Sequence, residues 1–407
     1  MGDYLIERLG HQGDGIARGP IYVPLTLPGE TVSGERDGER LKEMRIITPS
    51  QDRVQAPCRH FRSCGGCALQ HASDGFVSQW KADIVRAALA AHGISAEIDK
   101  VLTSPARSRR RATLSARRTK KGALAGFHAR ASDVIIEIPD CQLLHPDLMA
   151  APDLAAALTR VGGSRKGEMS VQVTRSESGL DVVARGGKPL DAELQIALGE
   201  FAGSHGLARL TWEDEVIAMV RPPQQRFGRA LVVLPPGAFL QATAEGEAAL
   251  VAAVSALMQG KARIVDLFAG CGTFTLPLAE QAEVHAVEGD AAMLAALDRG
   301  WRQARELRRV SHEARDLFRR PLLEDELAHH DGAVIDPPRA GATAQIAELA
   351  RARVGTIAHV SCNPVTFARD AATLIGAGYV LGPVTLIDQF RWSPHVEIVA
   401  GFFLTTT

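Results

Sequence analysis

Cys362 stands in Ser361-Cys362-Asn363-Pro364, directly after the apolar run Val354 to Val360, so its thiol is expected at the end of a buried strand. Ala333-Val334-Ile335 runs in the same way into Asp336-Pro337-Pro338-Arg339, and His395-Val396-Glu397 sets a carboxylate into an apolar segment ending in Phe402-Phe403-Leu404. A lone cysteine after a strand is more often packing than chemistry. Two acids and an arginine in equivalent positions change that reading, because ligands of open α/β sheets collect at the carboxyl ends of the strands. The elements that must assemble these residues are therefore strands of one sheet that share an edge.

The combination suits methylation at C5 of a pyrimidine. That carbon becomes enolate-like only after a thiolate has added to C6, and it can then attack a sulfonium methyl. The C5 proton must afterwards leave to a base before the thiol is eliminated. Cys362 is the expected nucleophile and Glu397 the expected base. A free thiol has a pKa of about 8.5, so an electropositive neighbourhood is expected around Cys362, with Arg339 and Arg391 as its sources.

A cofactor site is legible upstream. Arg263 to Leu267 reads as a strand, Gly270 and Gly272 as a turn that lets backbone approach a ligand, and Thr273 onward as the start of a helix. The third glycine of a dinucleotide fingerprint is missing, and Asp266 before the turn suits a cationic cofactor better than a pyrophosphate. Val284 to Val287 ends in Glu288, placed to accept hydrogen bonds from ribose hydroxyls, and Asp316 falls where an acid contacting a base is expected. These features indicate S-adenosylmethionine. Cys271 has no evident partner and reads as a small packing residue.

Cys58, Cys64 and Cys67, with Gly65 and Gly66 between the last two, form a cluster to which Cys141 adds a distant fourth thiol. Such an irregular three-plus-one set suits an iron–sulfur cluster, while His60 and His71 keep zinc open as an alternative. With all four positions ligated, the role would be structural.

Around these groups the fold class is α/β in three parts. Residues 1–55 alternate short strand-like pieces with glycine turns, as in a small oligonucleotide-binding β-barrel; 56–220 are a mixed α/β region holding the cysteines; 221–407 alternate strands with alanine-rich helices, as in a Rossmann-like domain. A net charge of −1 excludes global attraction to polyanions, so any nucleic-acid contact must be a local patch. Pro105 to Gly122, with six arginines and two lysines, is the expected one. No membrane-length apolar run or signal peptide is visible, which leads to the expectation of a cytoplasmic monomer with no membrane partner.

Ser-Cys-Asn-Pro at Cys362, Asp336 to Gly341, Asp266 to Gly270, Phe239-Leu240-Gln241 and His395-Val396-Glu397 together resemble the RNA 5-methyluridine methyltransferases, and the likeness covers essentially the whole chain. It implies Cys362 as nucleophile, Glu397 as base, and Gln241, Phe268, Thr273, Glu288, Asp316 and Asp336 as the residues contacting S-adenosylmethionine. It also implies a 4Fe–4S cluster on Cys58, Cys64, Cys67 and Cys141, a TRAM domain at the N-terminus, and a uridine in an unpaired loop of 23S ribosomal RNA as the target. The same chemistry on transfer RNA, and an iron–sulfur RNA-binding protein without catalysis, are the alternatives.

Overall fold

The computed structural model describes residues 2–405. The strands Gly2–Leu9, Gly15–Ala17, Ile21–Val23, Thr31–Asp37 and Arg40–Thr48 close into a barrel. Its interior is the apolar set Ile6, Ala17, Ile21, Val23 and Val32.

The central region is built on a seven-stranded sheet, with Glu168–Ser176 and Arg111–Arg118 paired antiparallel in its middle. Leu154, Leu158, Leu198 and Phe201, from the helices Ala151–Gly162 and Ala192–Ser204, pack on it.

The C-terminal sheet runs in the order Val310–Ala314, Glu283–Glu288, Arg263–Leu267, Gly332–Ile335, Thr356–Ser361, Glu397–Leu404, Tyr379–Asp388, Ile98–Thr103. Its central strands read as continuous apolar runs because both faces are covered there. Val265, Ile335 and Ile357 enter one core, whereas Ile264, Val334 and Ala358 enter the other, the alternation a pleated strand imposes.

One boundary differs from the sequence reading. The strand Ile98–Thr103 pairs parallel with Tyr379–Asp388, and the helix Asp74–Ala90 packs on Pro364–Gly376, so part of the 56–220 stretch belongs to the C-terminal sheet. A buried ion pair pins it there: Lys81 Nζ lies 2.6 Å from Asp388 Oδ1, with both side chains almost fully buried. Sequence patterning is blind to an edge strand contributed from nearly 300 residues away, because its amphipathic signal looks the same whichever sheet it joins. No helix among the described residues is long and apolar enough to cross a membrane.

Candidate active site

The register of the C-terminal sheet creates the site. Thr356–Ser361 and Glu397–Leu404 run antiparallel with Ser361 opposite Ile398, so the next pair at the edge is Cys362 and Glu397. Gly332–Ile335 runs parallel to the cysteine strand and delivers Asp336 to the same edge. Arg263–Leu267 pairs with Gly332–Ile335 on its other side and delivers Phe268. Phe268 takes a left-handed backbone (φ 63°), a conformation costly for a non-glycine residue and often found at functional sites. Gly272 (φ 95°) must be glycine for space as well, since a Cβ there would lie 2.9 Å from Leu276.

These tips line one cavity of about 1120 Å³. Gln241, Phe268, Glu288, Asp316, Asp336, Cys362 and Glu397 all line it. Thr273 does not: the turn sends it elsewhere, and the threonine that engages an acid is Thr275, whose Oγ1 donates to Asp266 Oδ2 at 2.5 Å. Glu288 is held by backbone, accepting from Gly270 N and Asp290 N at 3.0 Å each. Asp316 caps the next turn by accepting from Phe318 N at 2.9 Å.

The charges at this edge are buried and mostly of one sign. Burial, with Glu397 and Asp336 beside it and Arg339 as the one opposing charge, pushes the Cys362 thiol up to about 11. Burial and Asp336 push Glu397 up to about 8, and burial alone brings Asp336 to about 7. The electropositive neighbourhood expected for Cys362 is thus only partly present. Arg391 is spent elsewhere, 2.5 Å from Asp74 and over the Trp392 ring, because its turn faces the helix Asp74–Ala90. A cationic ligand in the cavity would favour the ionised forms of all three groups.

One residue at the site escaped the sequence reading. Gln389, 2% exposed, accepts from Ala242 N at 2.7 Å through Oε1 and donates Nε2 to Gln241 Oε1 at 2.5 Å. A glutamine after an apolar strand carries no motif, and only the tertiary contact marks it.

With this geometry in hand, comparison with known proteins is decisive. Residues 230–407 match the family model described as tRNA (uracil-5-)-methyltransferase. An RNA methyltransferase of Mesorhizobium japonicum is 47% identical, the match covering 98% of this chain and 97% of the relative. The chain belongs to the RNA uracil-5-methyltransferase family. A 23S rRNA (uracil(1939)-C(5))-methyltransferase of Shewanella piezotolerans is 33% identical over 98% of this chain and 95% of its own. Within the family's solved structures, the Pyrococcus abyssi tRNA (uracil-54, C5)-methyltransferase in complex with S-adenosyl-L-homocysteine has the same fold, with a TM-score of 0.75 at 22% identity, covering 98% of this chain and 99% of that one.

The other features that the family resemblance implied are distributed as follows. Cys58, Cys64, Cys67 and Cys141 are unbonded thiols; Cys64 and Cys141 are buried, and burial pushes Cys67 up to about 12. His60 turns to Asp140 at 2.6 Å, and the His71 ring stacks on Phe61. The arginine run does not form one free basic face. Arg110 is buried, with Nη2 2.5 Å from Glu247 and Nε 3.1 Å from Gln241 O. Arg117 pairs with Glu168, and Arg111 lies over the Phe239 ring. On the strand Arg111–Arg118 the fully buried positions are Ala112, Leu114 and Ala116, and its arginines are instead engaged by neighbours, Arg118 by Gly163 O as well, which a count of charges cannot reveal.

Proposed function

We propose that this enzyme methylates C5 of a uridine in 23S ribosomal RNA through a covalent adduct between Cys362 and C6, using S-adenosylmethionine. The observation that carries the reading is the antiparallel register that sets Cys362 against Glu397 beside Asp336 in one cavity. Ribosomal RNA is favoured over transfer RNA by sequence identity, 33% to the Shewanella enzyme against 22% to the Pyrococcus one, since both match over nearly the full length.

The acidic lining fits a cationic cofactor: Asp336 and Glu397 have no ion-pair partner among the described residues, and Glu288 and Asp316 are rigidly aimed. Gln241, Phe268, Glu288, Asp316 and Asp336 would hold S-adenosylmethionine, which when bound supplies an electrophilic methyl on a sulfonium. Cys362 Sγ, as thiolate, forms a bond to C6 and moves the C5=C6 pair onto C5, which takes the methyl group as the sulfonium leaves as a neutral thioether. Glu397 then removes the C5 proton; the C–H pair rebuilds the double bond and expels Sγ with its electrons. The uracil must leave its stack to reach this cavity.

The four-thiol group fits a 4Fe–4S cluster better than zinc. Three cysteines within ten residues, with a single two-residue gap, and a fourth from a distant segment form an irregular set, which suits a cluster that takes each thiolate on a separate iron. Cys58, Cys64 and Cys141 are near enough to Cys67 to raise its pKa, and two of the sulfurs accept backbone N–H groups, from Gly66 at 3.4 Å and from Leu143 at 3.5 Å.

The test is trapping. RNA carrying 5-fluorouridine has no C5 proton to lose, so with S-adenosylmethionine it should form a denaturation-resistant complex with the enzyme and none with Cys362→Ala. A complex of equal yield on both proteins refutes the nucleophile. Mass mapping of 23S and transfer RNA from cells lacking the gene decides the substrate.

A further inference from the structure

The active cavity does not end at the strand tips. Gly65 and Gly66 of the four-cysteine loop, Arg109 and Arg130 complete its wall, beside Phe239 and His395. At about 1120 Å³ it exceeds the roughly 300–1,000 Å³ that encloses one small molecule, so it has room for a cofactor and a nucleotide together. Its charges are sorted. Carboxylates gather on the strand tips, with Arg339 among them, and two further guanidinium groups, those of Arg109 and Arg130, lie on the wall next to the cysteines.

Arg109 is the informative one. Its backbone is fixed, with N donating to Leu143 O at 3.1 Å and O accepting from His145 N at 2.9 Å. Its Nε donates to Arg111 O at 3.1 Å. Its terminal nitrogens have no hydrogen-bond partner and its guanidinium no ion-pair partner among the described residues. Burial disfavours the charged form, and only the Cys67 and Cys141 thiols oppose that. Arg130 donates Nη2 to Cys67 O at 3.1 Å and lies 3.6 Å from Asp14, a loose pairing that leaves its charge poorly neutralised. A desolvated guanidinium without an anion is costly, and its planar fork matches the oxygens of a phosphate.

We propose that Arg109, assisted by Arg130, seats a backbone phosphate of the RNA nucleotide whose base reaches Cys362. The inference rests on RNA entering this cavity. The four-cysteine loop is then one wall of the substrate site, and the arginine run contributes to binding through one inward residue rather than through a surface stripe. The carboxylate of the cofactor's amino-acid end is the other anion these groups would accept, as are thiolates of a bound cluster.

The experiment separates these sources. Binding of a fluorescein-labelled hairpin RNA with a uridine-containing loop would be measured across a salt series for the intact enzyme, Arg109→Lys, Arg109→Ala and Arg130→Ala, with S-adenosylhomocysteine binding and iron content measured on the same preparations. Arg109→Ala should weaken RNA binding about tenfold and lower the slope of log K against log salt by about one contact, or roughly 0.7 for a single strand. Arg109→Lys should retain the salt slope but lose affinity, because a lysine cannot bind bidentately. Cofactor affinity and iron content should stay unchanged. Unchanged RNA affinity and slope in Arg109→Ala overturns the proposal, as does a loss confined to cofactor binding or to iron. Failure of the intact enzyme to bind the RNA would instead overturn the reading that RNA enters the cavity. Arg109→Lys answers the question should the alanine variant fail to fold.

Discussion

Burial raises the pKa of Cys362, and it raises those of Cys64, Cys67 and Cys141 in the four-thiol group alike. What distinguishes them is company. Cys362 faces Glu397, Asp336 and Arg339 in a cavity, so its ionisation depends on whatever charge a ligand brings. The four grouped thiols face one another, and two of them accept backbone N–H groups. Cys271, pushed up to about 12 by burial with acids as its only charged neighbours, has neither kind of company and is packing. A raised thiol pKa therefore says little about reactivity; the neighbours decide.

The contrast can be broken in steps, beginning with the largest effect. Cys362→Ala should abolish methyl transfer, by about a thousandfold or more, with iron content intact, whereas Cys141→Ser should lose iron and thermal stability together. Methyl transfer assays paired with iron analysis check this; parallel loss of both properties in both variants would erase the distinction. Glu397→Gln should stall after methyl transfer, so that ordinary uridine RNA accumulates as a covalent complex visible on denaturing gels. Free release of product would remove Glu397 from the role of base.

Two smaller effects sharpen the comparison. Alkylation of Cys362 by iodoacetamide at neutral pH should be slow in the free enzyme, since its thiol is held near 11, and should speed up with S-adenosylmethionine but not with the uncharged sulfur of S-adenosylhomocysteine. Equal rates with both would deny the coupling of charge. The folded-state pKa of Glu397 is raised from 4.5 to about 8, so the fold favours its protonated form. That stability is fully present below pH 4.5 and is lost as pH rises through about 8, so Glu397→Gln should gain Tm over the parent progressively across that window. A pH-independent difference in melting would show that the carboxyl is not held in this way.

The buried Lys81–Asp388 pair offers a test outside the thiols. Lys81→Met leaves Asp388 charged and alone, and should cost about 3–5 kcal/mol; adding Asp388→Leu should recover much of it, as read by denaturant unfolding. Because Asp388 precedes Gln389, which holds Gln241, activity should fall further than stability alone requires.

By itself the sequence determined the α/β class and which polar residues stand at the strand ends. Short motifs at strand ends, such as Ser361 to Pro364 and Asp336 to Arg339, carry local signals that survive without coordinates, because strand, turn and helix start are set by neighbouring residues. The tertiary structure alone decided three other matters: that Ile98–Thr103 completes the catalytic sheet, that Gln389 rather than Thr273 is built into the cavity's hydrogen bonding, and that most of the arginine run is engaged internally while Arg109 turns to the cavity. Each of these depends on contacts between residues far apart in the chain, and periodicity or composition encodes which face a side chain takes but not which partner meets it there.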